Sequence, residues 1–172
     1  MARNVHHDEI GGATSQMPFR PVWDERCTVL ILGSHPSVKS KENGFYYMHP
    51  QNRFWRVMSA LFDADFVGAD KDEKARLLLA RHVALYDVVE RCAIVGSADA
   101  TIREVRPTDL EALVKGAPIR RVFLNGRTAY DLFVRHFPQY IAKATLLPST
   151  SPANARWRLD DLVAAWQIIK TI

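Results

Sequence analysis

Three short segments carry side chains whose types and spacing can do chemistry. The first runs from Gly33 to Trp55 and reads GSHPSVKSKENGFYYMHPQNRFW. Phe45, Tyr46 and Tyr47 place planar rings in a connection, where they can stack on a base or simply plug the end of a sheet. Asn52 sits in the first turn of the following helix, where asparagine by propensity caps by hydrogen-bonding backbone. Arg53 and Arg56 flank it and suit phosphate, or a solvated helix face. The second segment, LPSTSPANARW, sets Ser149, Thr150 and Ser151 between two prolines, with Asn154 and Arg156 after them. Its hydroxyls and N–H groups can hold phosphates, and a plain turn with a helix cap explains the same residues. In the third, LYDVVERC, Asp87 ends an apolar strand, where a carboxylate is costly unless partnered. It either accepts a hydrogen bond from a substrate N–H or caps nearby backbone. Asn125-Gly126 is mainly a turn, with base contact the lesser reading.

Other chemistries are absent from the sequence. Gly33-Ser-His-Pro opens no phosphate-cradling G-x-x-x-x-G-K-[ST] loop, and no G-x-S-x-G elbow occurs. The six histidines include no pair at helical metal-ligand spacing beside cysteine or carboxylate, so no metal is expected. Two cysteines are too few for an iron–sulfur cluster.

The elements that must position these segments follow from hydrophobic pattern. Cys27 to Gly33 is a continuous apolar run closed by glycine, as in a buried parallel strand. A helix opening at Pro50 places Phe54, Met58 and Leu61 on one face, and Lys71 to His82 is a second helix. Val83 to Val89 reads as strand two. Thr108 to Glu111 reads as a capping box before a helix ending near Gly116. Ile119 to Leu124 is strand three, Thr128 to Phe137 a helix, Ala144 to Leu147 strand four and Leu159 to Ile169 a closing helix. Strands separated by helices argue for a parallel sheet covered on both faces. Ligands then bind beyond the carboxyl ends of the strands, where all three segments lie.

The chain of 172 residues suits one domain over residues 19–172, preceded by a flexible arm over residues 1–18. Apolar residues make up 48% and charged residues 24%, ordinary globular usage. No window is apolar enough for a membrane span, and the start lacks a secretory h-region. Free thiols in a reducing cytoplasm are the simplest reading of two cysteines. A net charge of +4, with arginine outnumbering lysine, favours a polyanionic partner. A monomer without cofactor is expected.

GSHPS, GFYYMHPQNRFW, LYDVVERC with GSADATI, VFLNGRTAY and LPSTSPANAR together resemble the uracil-DNA glycosylase superfamily. The likeness is greatest to its DNA-deoxyinosine (hypoxanthine) glycosylase branch. HPxNRFW marks the superfamily, and PSTSPAN combined with YYxHPxN marks the branch. The resemblance implies a three-layer α/β/α sandwich around a four-stranded parallel sheet. It also implies cofactor-free removal of a deaminated base from DNA. A base inside a duplex is unreachable, so such enzymes flip the nucleotide into a pocket and stack it on an aromatic. The resemblance gives that role to Tyr47, with Phe45 beside it. The PSTSPAN loop, with Ser149, Thr150, Ser151, Asn154 and Arg156, would press into the minor groove, and Arg53 would support the DNA contact.

Most branches place Asp or Asn two residues after the glycine closing strand one, to position the attacking water. This chain has His35 there, and the resemblance assigns the water to Asn52. An amide orients water without deprotonating it, so charge on the departing base must be stabilised by fixed donors. Backbone N–H groups near His35 and Ser37, and the Asn125 side chain, are the candidates. Asp87 would accept from the base edge, which hypoxanthine N1–H and uracil N3–H both offer. A glycosylase acting mainly on uracil, or a noncatalytic reader of damaged or single-stranded DNA, would carry the same residues.

Overall fold

The computed structural model describes residues 13–16, 19–94 and 102–172. Strands β2 (Val29–Gly33), β3 (Val83–Asp87), β6 (Arg121–Asn125) and β7 (Ala144–Leu147) form a parallel sheet in the order β3-β2-β6-β7. Successive β2 residues point to opposite faces, as the pleat requires. Val29 and Ile31 enter one core with Phe54, Met58 and Leu61 of α2 (Phe54–Phe62), Leu78 of α3 (Lys71–Leu79), and Leu162 and Trp166 of α6 (Leu159–Trp166). Leu30 and Leu32 enter a second core with Leu110 of α4 (Leu110–Gly116), and Ala129 and Phe133 of α5 (Arg127–His136). Two apolar layers against one sheet make the α/β/α sandwich, with all four β2–β6 register pairs parallel.

Register decides what meets at the carboxyl edge. Gly33 pairs with Asp87 and Asn125 with Leu147, so the last residues of all four strands lie in a row. The segments that follow them therefore converge.

Several local expectations change. The connection after Gly33 is not one loop, because Val38–Asn43 form a short helix, α1, capped by Ser37. Pro50 lies in a turn and α2 begins at Phe54, since Asn52 and Arg53 are held by the loop after β7. Asp109, not Thr108, caps α4, its Oδ1 accepting from Ala112 N–H at 3.1 Å. The closing helix ends at Trp166 and tightens into a 3₁₀ turn over Gln167–Thr171. A second sheet, antiparallel and unanticipated, joins β1 (Ala13–Gln16), β4 (Val89–Ile94) and β5 (Ile102–Pro107) in the order β1-β4-β5. Four residues of the expected loose arm are thus a paired strand. Residues 1–12 of that arm, and residues 96–101 of the GSADATI motif, lie outside the described residues.

Candidate active site

Gly33 ends β2 where side chains crowd the sheet edge. A Cβ there would stand 2.3 Å from an Asp87 carboxylate oxygen and 2.8 Å from the Tyr47 hydroxyl oxygen. Only glycine admits both groups. Asp87 is buried, 3% exposed, beneath the Tyr47 hydroxyl. Tyr47 has φ +54°, a left-handed conformation that costs a bulky residue energy. Its ring is backed by Phe54, with centroids 4.2 Å apart and planes 25° from parallel. One face is thereby buttressed while the residue stays half exposed. The preceding Phe45 belongs to the core instead, buried and stacked on Trp55 at 5.7 Å. It is not a wall of the site.

An open cavity of about 190 Å³ lies against Tyr47 and Asn52. Its other walls are Met48, His49, Pro50, Trp55, Arg56, Val67 and Lys74. The Lys74 ammonium donates to the Ala69 carbonyl and sits 5.5 Å from the Trp55 ring centre. Burial pulls its pKa below the ordinary lysine value. Neither His35 nor Asp87 borders this space.

Asn52 precedes α2 by two residues, and its Oδ1 accepts from Phe54 N–H at 2.9 Å. The same oxygen accepts the Thr150 hydroxyl at 2.9 Å. Asn125, at the end of β6, grips Thr150 twice. Its Oδ1 accepts from Thr150 N–H and its Nδ2 donates to the Thr150 Oγ1, both at 3.0 Å. Asn125, Thr150 and Asn52 thus form one chain of hydrogen bonds across the sheet edge. Gly126, at φ +96°, lets the loop come so near, since a Cβ there would stand 2.8 Å from Ser149 Cβ.

The loop after β7 is held from inside by Arg53. Its guanidinium donates to the carbonyls of Thr150 at 3.3 Å, Ser151 at 2.7 Å, Asn154 at 3.1 Å, and Trp157. Its backbone N–H also reaches the Thr150 carbonyl, at 3.1 Å. The planar fork of arginine suits such spread acceptors. Two expected DNA contacts are corrected here. Arg53 spends its donors on backbone carbonyls, and Thr150, 0% exposed, faces the interior. Ser37 is corrected in its side chain, which caps α1 by accepting from Ser40 N–H at 3.2 Å and bonds the Ser40 hydroxyl at 3.1 Å. Ser149 and Ser151 sit half-buried, Ser149 Oγ accepting from Ser151 N–H at 3.1 Å. Asn154 Nδ2 donates to the Ser149 carbonyl at 2.9 Å. Arg156 is exposed at the loop's end.

His35 lies 3.3 Å from the Val89 carbonyl through Nδ1, so that nitrogen carries the hydrogen. Burial pushes its pKa down to about 4, against the opposing pull of the Val89 carbonyl. The ring is neutral near pH 7 and has no proton to give as an imidazolium. Among the described residues no group of three or more His, Cys, Asp or Glu is placed to hold a metal, and no helix is long and apolar enough to cross a membrane. Cys27 and Cys92 are free thiols in the core.

Two contacts within these segments go beyond anything the sequence pattern indicates. The Arg53 clamp and the Thr150 link both bridge residues about a hundred positions apart. The signal available was the pairing of a lone buried-type hydroxyl and amide at one sheet edge.

Comparison with known proteins agrees with this fold. Residues 21–170 match the uracil DNA glycosylase superfamily. A protein of Methanosarcina acetivorans named hypoxanthine DNA glycosylase is 32% identical over 142 residues, 81% of this chain and 88% of its own. One of the same name from Methanosarcina barkeri is 30% identical over 141 residues, covering 80% and 87%. A solution NMR structure from Methanosarcina acetivorans, named as a candidate uracil DNA glycosylase, superposes with TM-score 0.75 at 28% identity. That superposition covers 92% of this chain and 99% of the other. With the match spanning nearly the whole sandwich, the chain belongs to the uracil DNA glycosylase superfamily and is a DNA glycosylase of base-excision repair.

Proposed function

We propose that the protein hydrolyses the N-glycosidic bond of hypoxanthine in DNA and leaves an abasic site. The observation that carries this reading is Asn52 beside a buttressed Tyr47 at the mouth of one cavity. The names of the two archaeal relatives support the substrate. A flipped base stacks on the free side of Tyr47, and Asn52 orients the water that attacks the sugar. Asp87 accepts from the N–H edge of the base, which asks the Tyr47 hydroxyl to move aside as the base enters. His35 contributes through backbone, and N–H groups near it and Ser37 stabilise the departing base. Asn125 contributes less directly, since its amide is engaged with Thr150. Ser149, Ser151, Asn154 and Arg156 meet the DNA strand. Every residue named comes from one chain, so a monomer suffices, and buried free thiols suit a reducing cytoplasm.

The test is a set of oligonucleotides carrying hypoxanthine, uracil, xanthine or mismatched thymine, treated with alkali after incubation. The reading expects strand breaks fastest at hypoxanthine, and their loss in Asn52→Ala. Faster cleavage at uracil would transfer the assignment to uracil. Binding without strand breaks on any substrate would make the protein a reader.

A further inference from the structure

The directions of the hydrogen bonds around Thr150 are fixed by the two backbone N–H groups at their ends. A backbone N–H cannot accept, so the atom facing Thr150 N–H at 3.0 Å is the Asn125 oxygen. The amide nitrogen of Asn125 therefore faces Thr150 Oγ1 and donates to it. The Thr150 hydroxyl then spends its own hydrogen on the other acceptor in reach, Asn52 Oδ1 at 2.9 Å. At the far end Phe54 N–H demands an oxygen as well, and the same Asn52 Oδ1 supplies it at 2.9 Å. Both lone pairs of that oxygen are occupied. What Asn52 has left is its NH2, and no hydrogen bond within the described residues engages it.

We propose that Thr150 is a positioning residue for the glycosylase reaction: its hydroxyl locks the Asn52 carboxamide with the oxygen inward and the two amide donors outward. The proposal rests on Asn52 as the water-holding group. Its consequence is specific. Water at Asn52 accepts from Nδ2–H, and its remaining lone pair is left to point at the sugar carbon. Thr150 is 0% exposed, so solvent does not compete for its hydroxyl. The amide is then already oriented when substrate arrives, and no reorganisation is needed during the reaction. A rotated amide would present its oxygen instead and hold the water by a hydrogen, in a different orientation.

The test compares Thr150→Val, which keeps the shape and deletes the hydroxyl, with Thr150→Ser, which restores it, in single-turnover cleavage of hypoxanthine DNA. The expected result is a fall of about 10- to 100-fold for the valine variant, the scale of a misplaced reacting group. Affinity for uncleaved DNA should be unchanged, and serine should recover most of the rate. Thr150→Ala makes the same comparison should the valine variant not fold. In an Asn52→Ala background the loss of the Thr150 hydroxyl should have no further effect on the rate, since the two act as a unit. A hydroxyl-free variant cleaving at the wild-type rate, while Asn52→Ala is inactive, overturns the proposal alone. An additional loss in the Asn52→Ala background overturns it as well, placing Thr150 on a separate path. Full activity in Asn52→Ala overturns the reading of Asn52 on which the proposal stands.

Discussion

Replacing Arg53 with lysine keeps the positive charge and removes the fork. In the native protein four carbonyls, from Thr150 to Trp157, converge on one guanidinium. An ammonium on a flexible stem can meet one or two of them, so at least two charge-assisted bonds are lost. Such bonds contribute roughly 1.5–3 kcal/mol each. Rehydration of the carbonyl at the exposed Trp157 reduces the net cost to about 2–4 kcal/mol. For a domain of this size that corresponds to a melting temperature lower by about 5–15 °C. Differential scanning fluorimetry reads the shift, and single-turnover cleavage reads the site. Cleavage should fall as well, because the Arg53 clamp holds the loop that carries Thr150 against Asn52. A lysine variant with wild-type melting and cleavage would refute the clamp. It would return Arg53 to phosphate contact, which lysine serves nearly as well.

Gly33→Ala should destabilise the protein by roughly 1–3 kcal/mol and slow cleavage, since the added methyl meets Asp87 and Tyr47 inside contact distance; normal denaturant unfolding and normal turnover would show that the two side chains yield freely. His35 has its folded pKa lowered to about 4 from an ordinary 6.5, so its contribution to stability is complete above pH 6.5 and is lost as pH falls toward 4. Urea unfolding at pH 7 and pH 5 should therefore differ less in His35→Gln than in the wild type, and an equal difference would remove His35 as the cause. Arg156→Met should lessen the slope of log affinity against log salt by about 0.9, one phosphate contact; an unchanged slope would take Arg156 off the DNA.

The sandwich was legible because its strands are buried on both faces. Cys27 to Gly33 is an apolar run that few other structures accommodate, and Val122 to Leu124 are three buried apolar residues after Arg121. The carboxyl edge was legible for the same reason, and with it the three segments that converge there. The antiparallel sheet was not. Glu90, Arg91, Arg103 and Arg106 break its pattern, and β4 pairs with β5 through irregular register. Of β4, Val89 and Cys92 are nonetheless buried. The work of Arg53 was also illegible. Arginine beside a helix start reads as a solvated cation until the carbonyls it serves are brought there by β7. Asn52 shows the limit from the other side: its oxygen caps Phe54 as propensity suggests, yet the same residue also lines the cavity.

The bonds that complete the site span great stretches of chain. Arg53 reaches Ser151 across 98 positions and Trp157 across 104, and Thr150 reaches Asn52 across 98. Contacts so distant along the chain must repay a large closure entropy before they stabilise anything. The β2–β3 pairing closes across 54 positions, while the β2–β6 pairing spans 92. During synthesis, everything up to β6 can leave the ribosome and collapse while Asn52 still lacks the residue that turns its amide outward.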